Sequence, residues 1–162
     1  MKSVIIYAST HRGNTKKVVE AISKECGVDL VDATKVPEKD LSGYDAIGFA
    51  SGIYASKFHQ SVLNFASVNL PEDKKIFYIC TYGAKGSYKS IEKVTAGRNA
   101  TLLGTFGCKG YNTFGPFKLI GGTGKGCPTE KDLQAADNSG DEQHMFYNTP
   151  KARKCDGELQ KH

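Results

Sequence analysis

The chain has 162 residues, long enough for one sizeable core, and its 39% hydrophobic and 24% charged residues are those of a globular protein. Collagen, coiled coil and general disorder are excluded, and no apolar run approaches the roughly 20 residues a membrane span requires. The net charge is +5. Between Lys85 and Lys125 seven basic residues meet one acid, Glu92, so this window carries +6 and the remainder sums to −1.

At the N-terminus only Val4–Ala8 is apolar before a polar run, shorter than the roughly 7–15 residues at the heart of a secretory signal. The five cysteines, at 26, 80, 108, 127 and 155, form no C-x-x-C pair. Zinc-ribbon and thioredoxin readings therefore lack support, and reduced thiols in a cytoplasmic protein are the expectation.

Ser3–Ala8 is a β-branched and aromatic run that predicts a buried strand. Residues 15–26 place Val18, Val19, Ile22 and Cys26 at helical spacing, with charged residues opposite. A weak second strand follows at 28–31. Pro37, Ser42 and Gly43 mark a connector, and residues 46–50 predict a third strand. A helix over 60–68, a strand over 76–80, a helix over 88–97 and a strand over 102–108 continue the alternation. A last helix is predicted over 129–136, after Pro128. Buried strands alternating with amphipathic helices imply βαβ units. The fold class is therefore α/β, a doubly wound three-layer sandwich on a five-stranded parallel sheet, with ligands bound beyond the carboxyl ends of the strands.

The segment after the first strand, Ser9, Thr10, His11, Arg12, Gly13, Asn14 and Thr15, runs straight into a helix. Hydroxyls, an amide, an arginine and a glycine at a helix N-terminus suit a phosphate, although one capping residue would also explain Asn14 or Thr15. The dinucleotide fingerprint G-x-G-x-x-G is absent. The run 121–126 falls short of a P-loop: Leu119 stands at the first glycine position and Gly126 at the Ser/Thr position. A receiver domain needs acids where this chain has Ala8-Ser9 and Ala50-Ser51.

The stretch IIYASTHRGNTKKVVEAI resembles the phosphate loop of the flavodoxin family, a T/S-x-T-G-x-T pattern between first strand and first helix. Thr10, Gly13, Asn14 and Thr15 match it, Arg12 replaces a hydroxyl residue, and the loop is one residue longer. PEKDLSGYDAIGFASGIY and YICTYGAKGSYKSI resemble the approaches to that family's second and third flavin loops. The resemblance covers residues 3–137. It implies a flavodoxin-like FMN-binding domain over residues 1–137; residues 138–162, polar and broken by Asn138-Ser139-Gly140 and Pro150, are expected to be a tail partly ordered at best.

The resemblance also implies ring contacts from Ser51, Gly52, Ile53 and Tyr54, with Gly52–Ile53 as a peptide able to flip, and from Thr81, Tyr82 and Gly83. Tyr54 or Ile53 would cover one face of the ring, and Tyr82 or Tyr88 the other. Tyr54 has an alternative as a half-buried loop tyrosine and Tyr88 as a helix-core aromatic. Phe58 and His59 belong either to the rim or to the core. After the fifth strand comes a long connector in which Tyr111, Phe114 and Phe117 form a flap or a docking patch. Cys108 beside Lys109 is either an activated thiol or a buried structural one.

Flavodoxins are usually acidic around the flavin, whereas this basic window lies there. That charge suits an acidic protein partner or an anionic small molecule such as a nicotinamide dinucleotide, and nucleic acid fits poorly. The leading expectation is an electron-transfer protein that binds FMN non-covalently and shuttles electrons between a reductase and an acceptor enzyme. The alternative is an FMN-dependent NAD(P)H:quinone reductase, because SGIYASKFHQSVLNF is similar to quinone-linked protoporphyrinogen oxidases of flavodoxin fold. A flavodoxin-like binding module without flavin is the third option. No catalytic acid–base pair and no metal site are read from the chain.

Overall fold

A computed structural model describes residues 1–110. Strand β1 is Ser3–Ala8, buried throughout beyond Ser3. Its lack of a polar face suits the middle of a sheet covered on both sides. Helix α1 (Asn14–Cys26) ends on left-handed Gly27 and leads to β2 (Asp29–Asp32). Next come β3 (Ala46–Tyr54), the two-residue β4 (Lys57–Phe58) and α2 (Gln60–Asn69). β5 (Lys75–Tyr82), α3 (Lys89–Thr95) and β6 (Thr101–Lys109) complete the described elements.

The sheet order is β2-β1-β3-β5-β6, every neighbouring pair parallel, with β4 antiparallel to the end of β3. Five parallel strands match the expected sheet; β4 is a sixth that the sequence reading lacked. Val18, Val19 and Ile22 of α1 pack on Ile5, Tyr7, Ala50 and Ile79. On the opposite face Val62, Phe65 and Ala66 of α2 and Ile91 of α3 pack on Val4, Ile6, Phe49 and Tyr78. Crossovers on opposite faces reverse the strand order at β1 and β3. Such a reversal opens a crevice at their carboxyl ends.

The strand expected over 46–50 runs four residues further. Its ladder with β5 continues to Gly52 opposite Thr81, and Ile53 and Tyr54 then pair with Phe58 and Lys57. The second loop is thus a tight hairpin turning at Ala55 and Ser56, with φ of 47° and 65°. Helix α3 is shorter than the expected 88–97, its last turn tightening over Ala96–Arg98 before left-handed Asn99. The helix expected over 129–136, the connector with Tyr111, Phe114 and Phe117, the glycine-rich run 121–126 and the tail 138–162 lie outside the described residues. Within the described residues no helix is long and apolar enough to cross a membrane.

Candidate functional site

A cavity of about 300 Å³ opens at this crevice. Its walls are His11, Asn14 and Thr15 after β1, residues 52–56 of the hairpin, residues 81–85 after β5, and Gly110 at the end of β6. Residues from the loops after β1, β3 and β5 thus share one cavity, while Ser9, Thr10, Arg12, Gly13 and Ser51 of the expected set do not line it.

The loop after β1 turns through two consecutive left-handed residues, Arg12 at φ 54° and Gly13 at φ 69°. Gly13 adopts this shape freely, whereas Arg12 costs about 1 kcal/mol. The turn delivers the chain to the N-terminus of α1, whose first turn carries no acidic residue. The positive end of the helix dipole thus meets no negative side chain of its own first turn.

Each hydroxyl of the loop already has a protein partner. Ser9 Oγ accepts the Lys16 N–H at 3.1 Å. Thr10 Oγ1 donates to Tyr54 Oη at 3.0 Å. Thr15, 2% exposed, sits with its Oγ1 2.9 Å from Thr81 Oγ1. A hydroxyl carries one proton and two acceptor sites. Ser9, Tyr54 and one of the Thr15–Thr81 pair are therefore not committed as donors by these bonds. Asn14 is buried beneath Gly110, where an added methyl would lie 2.6 Å from Asn14 Nδ2. The Gly110 N–H donates to the Tyr82 carbonyl at 2.9 Å. That closure of β6 against α1 was missed by the sequence reading, whose one signal was a glycine at a strand end.

In the hairpin, fully buried Ser51 donates from Oγ to the Gly52 carbonyl at 2.7 Å and accepts the His59 N–H at 2.8 Å. The relay fixes the Gly52–Ile53 peptide. Tyr54 folds back over Gly52, where a methyl would lie 2.9 Å from its hydroxyl, so a side chain there would push the Tyr54 ring aside. His59 caps α2, its Nδ1 accepting the Ser61 N–H at 3.2 Å, and its ring meets Tyr54 edge-on at 5.6 Å. Phe58 belongs to the core, its N–H donating to Ser90 Oγ. Ala55 and Ser56 form part of the wall and had no signal in the sequence.

After β5, Thr81, Tyr82 and Gly83 line the cavity, joined by Ala84 and exposed Lys85. Tyr88 does not. It packs on the α2–α3 core, stacked on Tyr78 at 6.2 Å and tilted against Phe58 at 6.3 Å. Its hydroxyl is buried beside Cys80 without a partner in good hydrogen-bonding geometry. Burial first, then the Cys80 sulfur, pushes the Tyr88 phenol up. Burial also pushes the Cys80 thiol up to about 11, against weaker hydrogen bonding from Tyr88 and the Ser87 N–H. Cys108 is fully buried in the core beneath α1, which is the structural alternative for that thiol. Among the described residues no cluster of His, Cys, Asp and Glu could hold a metal ion.

Residues 4–111 match the family model of a flavodoxin domain. The chain belongs to the flavodoxin family. It is accordingly a flavin-binding redox protein. An uncharacterized protein of Methanocaldococcus jannaschii, MJ0298, is 37% identical over 140 residues, covering 84% of this flavodoxin and 93% of that protein. A flavodoxin from the domain Archaea shares the fold with a TM-score of 0.59 at 21% identity, over 90% of this chain and 97% of that one. The two-electron reduced flavodoxin of Megasphaera elsdenii does so with a TM-score of 0.56 at 19% identity, over 83% and 97% of the two chains.

Proposed function

We propose that this flavodoxin binds FMN non-covalently and carries electrons between redox partner proteins, a reductase that loads it and an acceptor enzyme that unloads it. The observation that carries the reading is the division of the cavity into two chemically different ends. One end is the start of α1, with the helix dipole and uncommitted hydroxyl protons. The other is a slot walled by Ile53, Tyr54, Tyr82 and Ala84.

The donor set fits a monophosphate joined to a flat apolar ring. Gly13 has no side chain to cap α1, and Ser9 takes an amide only at Lys16. Arg12 and His11 add donors at the loop tip. About 300 Å³ is at the lower end of small-ligand cavities, which suits a ring system held by its edge. A bound flavin would supply the redox chemistry, and the chain's task is to hold it and control access to it. Ser51 would fix which polar group of the second loop faces the ring, and Tyr54, tethered to Thr10, would cover it.

A carrier needs no acid–base machinery. Among the described residues no carboxylate lines the cavity, and its imidazole, His11, is exposed. The free thiols of Cys26, Cys80 and Cys108 support a cytoplasmic setting. The experiment is a visible absorption titration of the purified protein with FMN and riboflavin, followed by steady-state assay with NAD(P)H and a quinone. Tight FMN binding, loss of affinity with riboflavin, and turnover only through a separate reductase are expected. Direct NAD(P)H:quinone turnover would replace the carrier by a reductase, and failure to bind FMN would remove both.

A further inference from the structure

We propose that the mouth of the cavity is a docking surface for a partner protein with an acidic face. The proposal rests on the reading of the cavity as a flavin site, since only then is its mouth where electrons cross.

The observation is the sorting of charge by position. Four segments meet at this edge of the sheet: residues 9–17, 51–59, 81–90 and 107–110. Together they contain seven cations, Arg12, Lys16, Lys17, Lys57, Lys85, Lys89 and Lys109, and no Asp or Glu. The other residues up to 110 hold eight Lys or Arg and ten Asp or Glu. Among the described residues, then, the edge carries +7 and everything else −2. A merely solvated surface would mix the signs, as the rest of the described chain does.

Exposure points the same way. Lys57 in β4, Lys85 after β5 and Lys89 at the start of α3 are exposed, and Lys85 lines the cavity. Lys16 forms a solvent-exposed i,i+4 ion pair with Glu20 at 3.7 Å. A small anion is held by donors that converge and lose water. Hydrated ammonium groups spread over a strand, a loop and a helix start instead create a broad field, which steers and orients a large partner. Such a field acts over about a Debye length, roughly 10 Å at 0.1 M salt.

The test is amide chemical-shift mapping of the isotope-labelled protein, with and without FMN. A plant-type ferredoxin serves as the acidic probe, cytochrome c as the basic one and NADPH as the small anion. At about 20 mM salt ferredoxin should perturb amides within 52–57, 83–89 and 107–110. Raising salt to about 200 mM should weaken its binding roughly tenfold. The Lys57→Glu/Lys85→Glu double variant should abolish the footprint, while Lys24→Glu at the far end of α1 should retain it. No footprint from ferredoxin on folded protein, an equal one from cytochrome c, or one from NADPH alone would overturn the proposal. FMN binding is scored separately by absorption. A ferredoxin footprint on a protein that refuses FMN would sink the flavin reading and leave the acidic-partner surface standing.

Discussion

Thr15 Oγ1 and Thr81 Oγ1 lie 2.9 Å apart in the buried floor of the cavity, tying the first turn of α1 to the end of β5 across 66 positions. The bond makes one rigid unit of two loops that would hold opposite ends of a ligand. Removing one partner leaves the other a buried hydroxyl with no mate, which costs about 1–3 kcal/mol. Thr15→Val and Thr81→Val should each lose stability in that range by urea denaturation. The double variant should lose less than the sum, the signature of a direct pair. Strict additivity would show that each threonine acts alone.

The buried Ser51 relay gives a second prediction. Ser51→Ala leaves the His59 N–H without its acceptor and the Gly52 carbonyl without its donor. The expected loss of stability is about 1–3 kcal/mol. The second effect distinguishes this site from a purely structural one: the freed Gly52–Ile53 carbonyl can turn toward the cavity. The flavin midpoint potential should therefore move in Ser51→Ala more than in Thr95→Val, which breaks a comparably buried hydroxyl pair with Tyr78 outside the cavity. Equal potentials in the two variants would reduce Ser51 to a structural role.

The sheet was legible in the sequence because its strands are hydrophobic runs and its helices show apolar stripes. The cavity was legible as three loops because a parallel sheet obliges ligands to its carboxyl edge. Partners were not legible. Nothing in residues 9–15 told that Thr10 reaches Tyr54 and Thr15 reaches Thr81, since hydroxyl contacts between loops depend on strand register. Tyr88 shows the same limit. One residue before α3 its ring turns inward onto Tyr78, a choice of rotamer that chain position leaves open. The hairpin escaped notice because Ala55-Ser56 lacks the usual turn signal.

That turn supplies a third prediction. Both of its residues are left-handed, the pattern of a type I′ hairpin normally built from Asn-Gly. Alanine and serine there cost up to about 1 kcal/mol each relative to residues suited to the shape. Ala55→Asn/Ser56→Gly should raise stability by about 0.5–1 kcal/mol in thermal or urea unfolding. The cavity wall should remain in place, so FMN affinity should change little. Destabilisation would mean that the wall contacts of these side chains outweigh the backbone gain.

The fourth prediction concerns pH. Burial raises the Cys80 thiol from 9.0 to about 11 in the folded chain. Between those values the native state holds a proton that the unfolded chain has released, so unfolding is favoured as pH rises. The contribution is fully present below about pH 9 and is lost through about pH 11, and Tyr7, Tyr78 and Tyr88, all raised from 10.0, add to the decline from about pH 10. Stability followed by urea denaturation should decline across this window in the parent protein. Cys80→Val should decline less steeply there, since it removes the proton while keeping an apolar group of similar size. The same burial predicts reactivity: at pH 8 a thiol reagent should label half-buried Cys26 well before Cys80 or Cys108. Rapid labelling of Cys80 in the folded protein would mean that the core between β5 and Tyr88 opens far more readily than its burial implies.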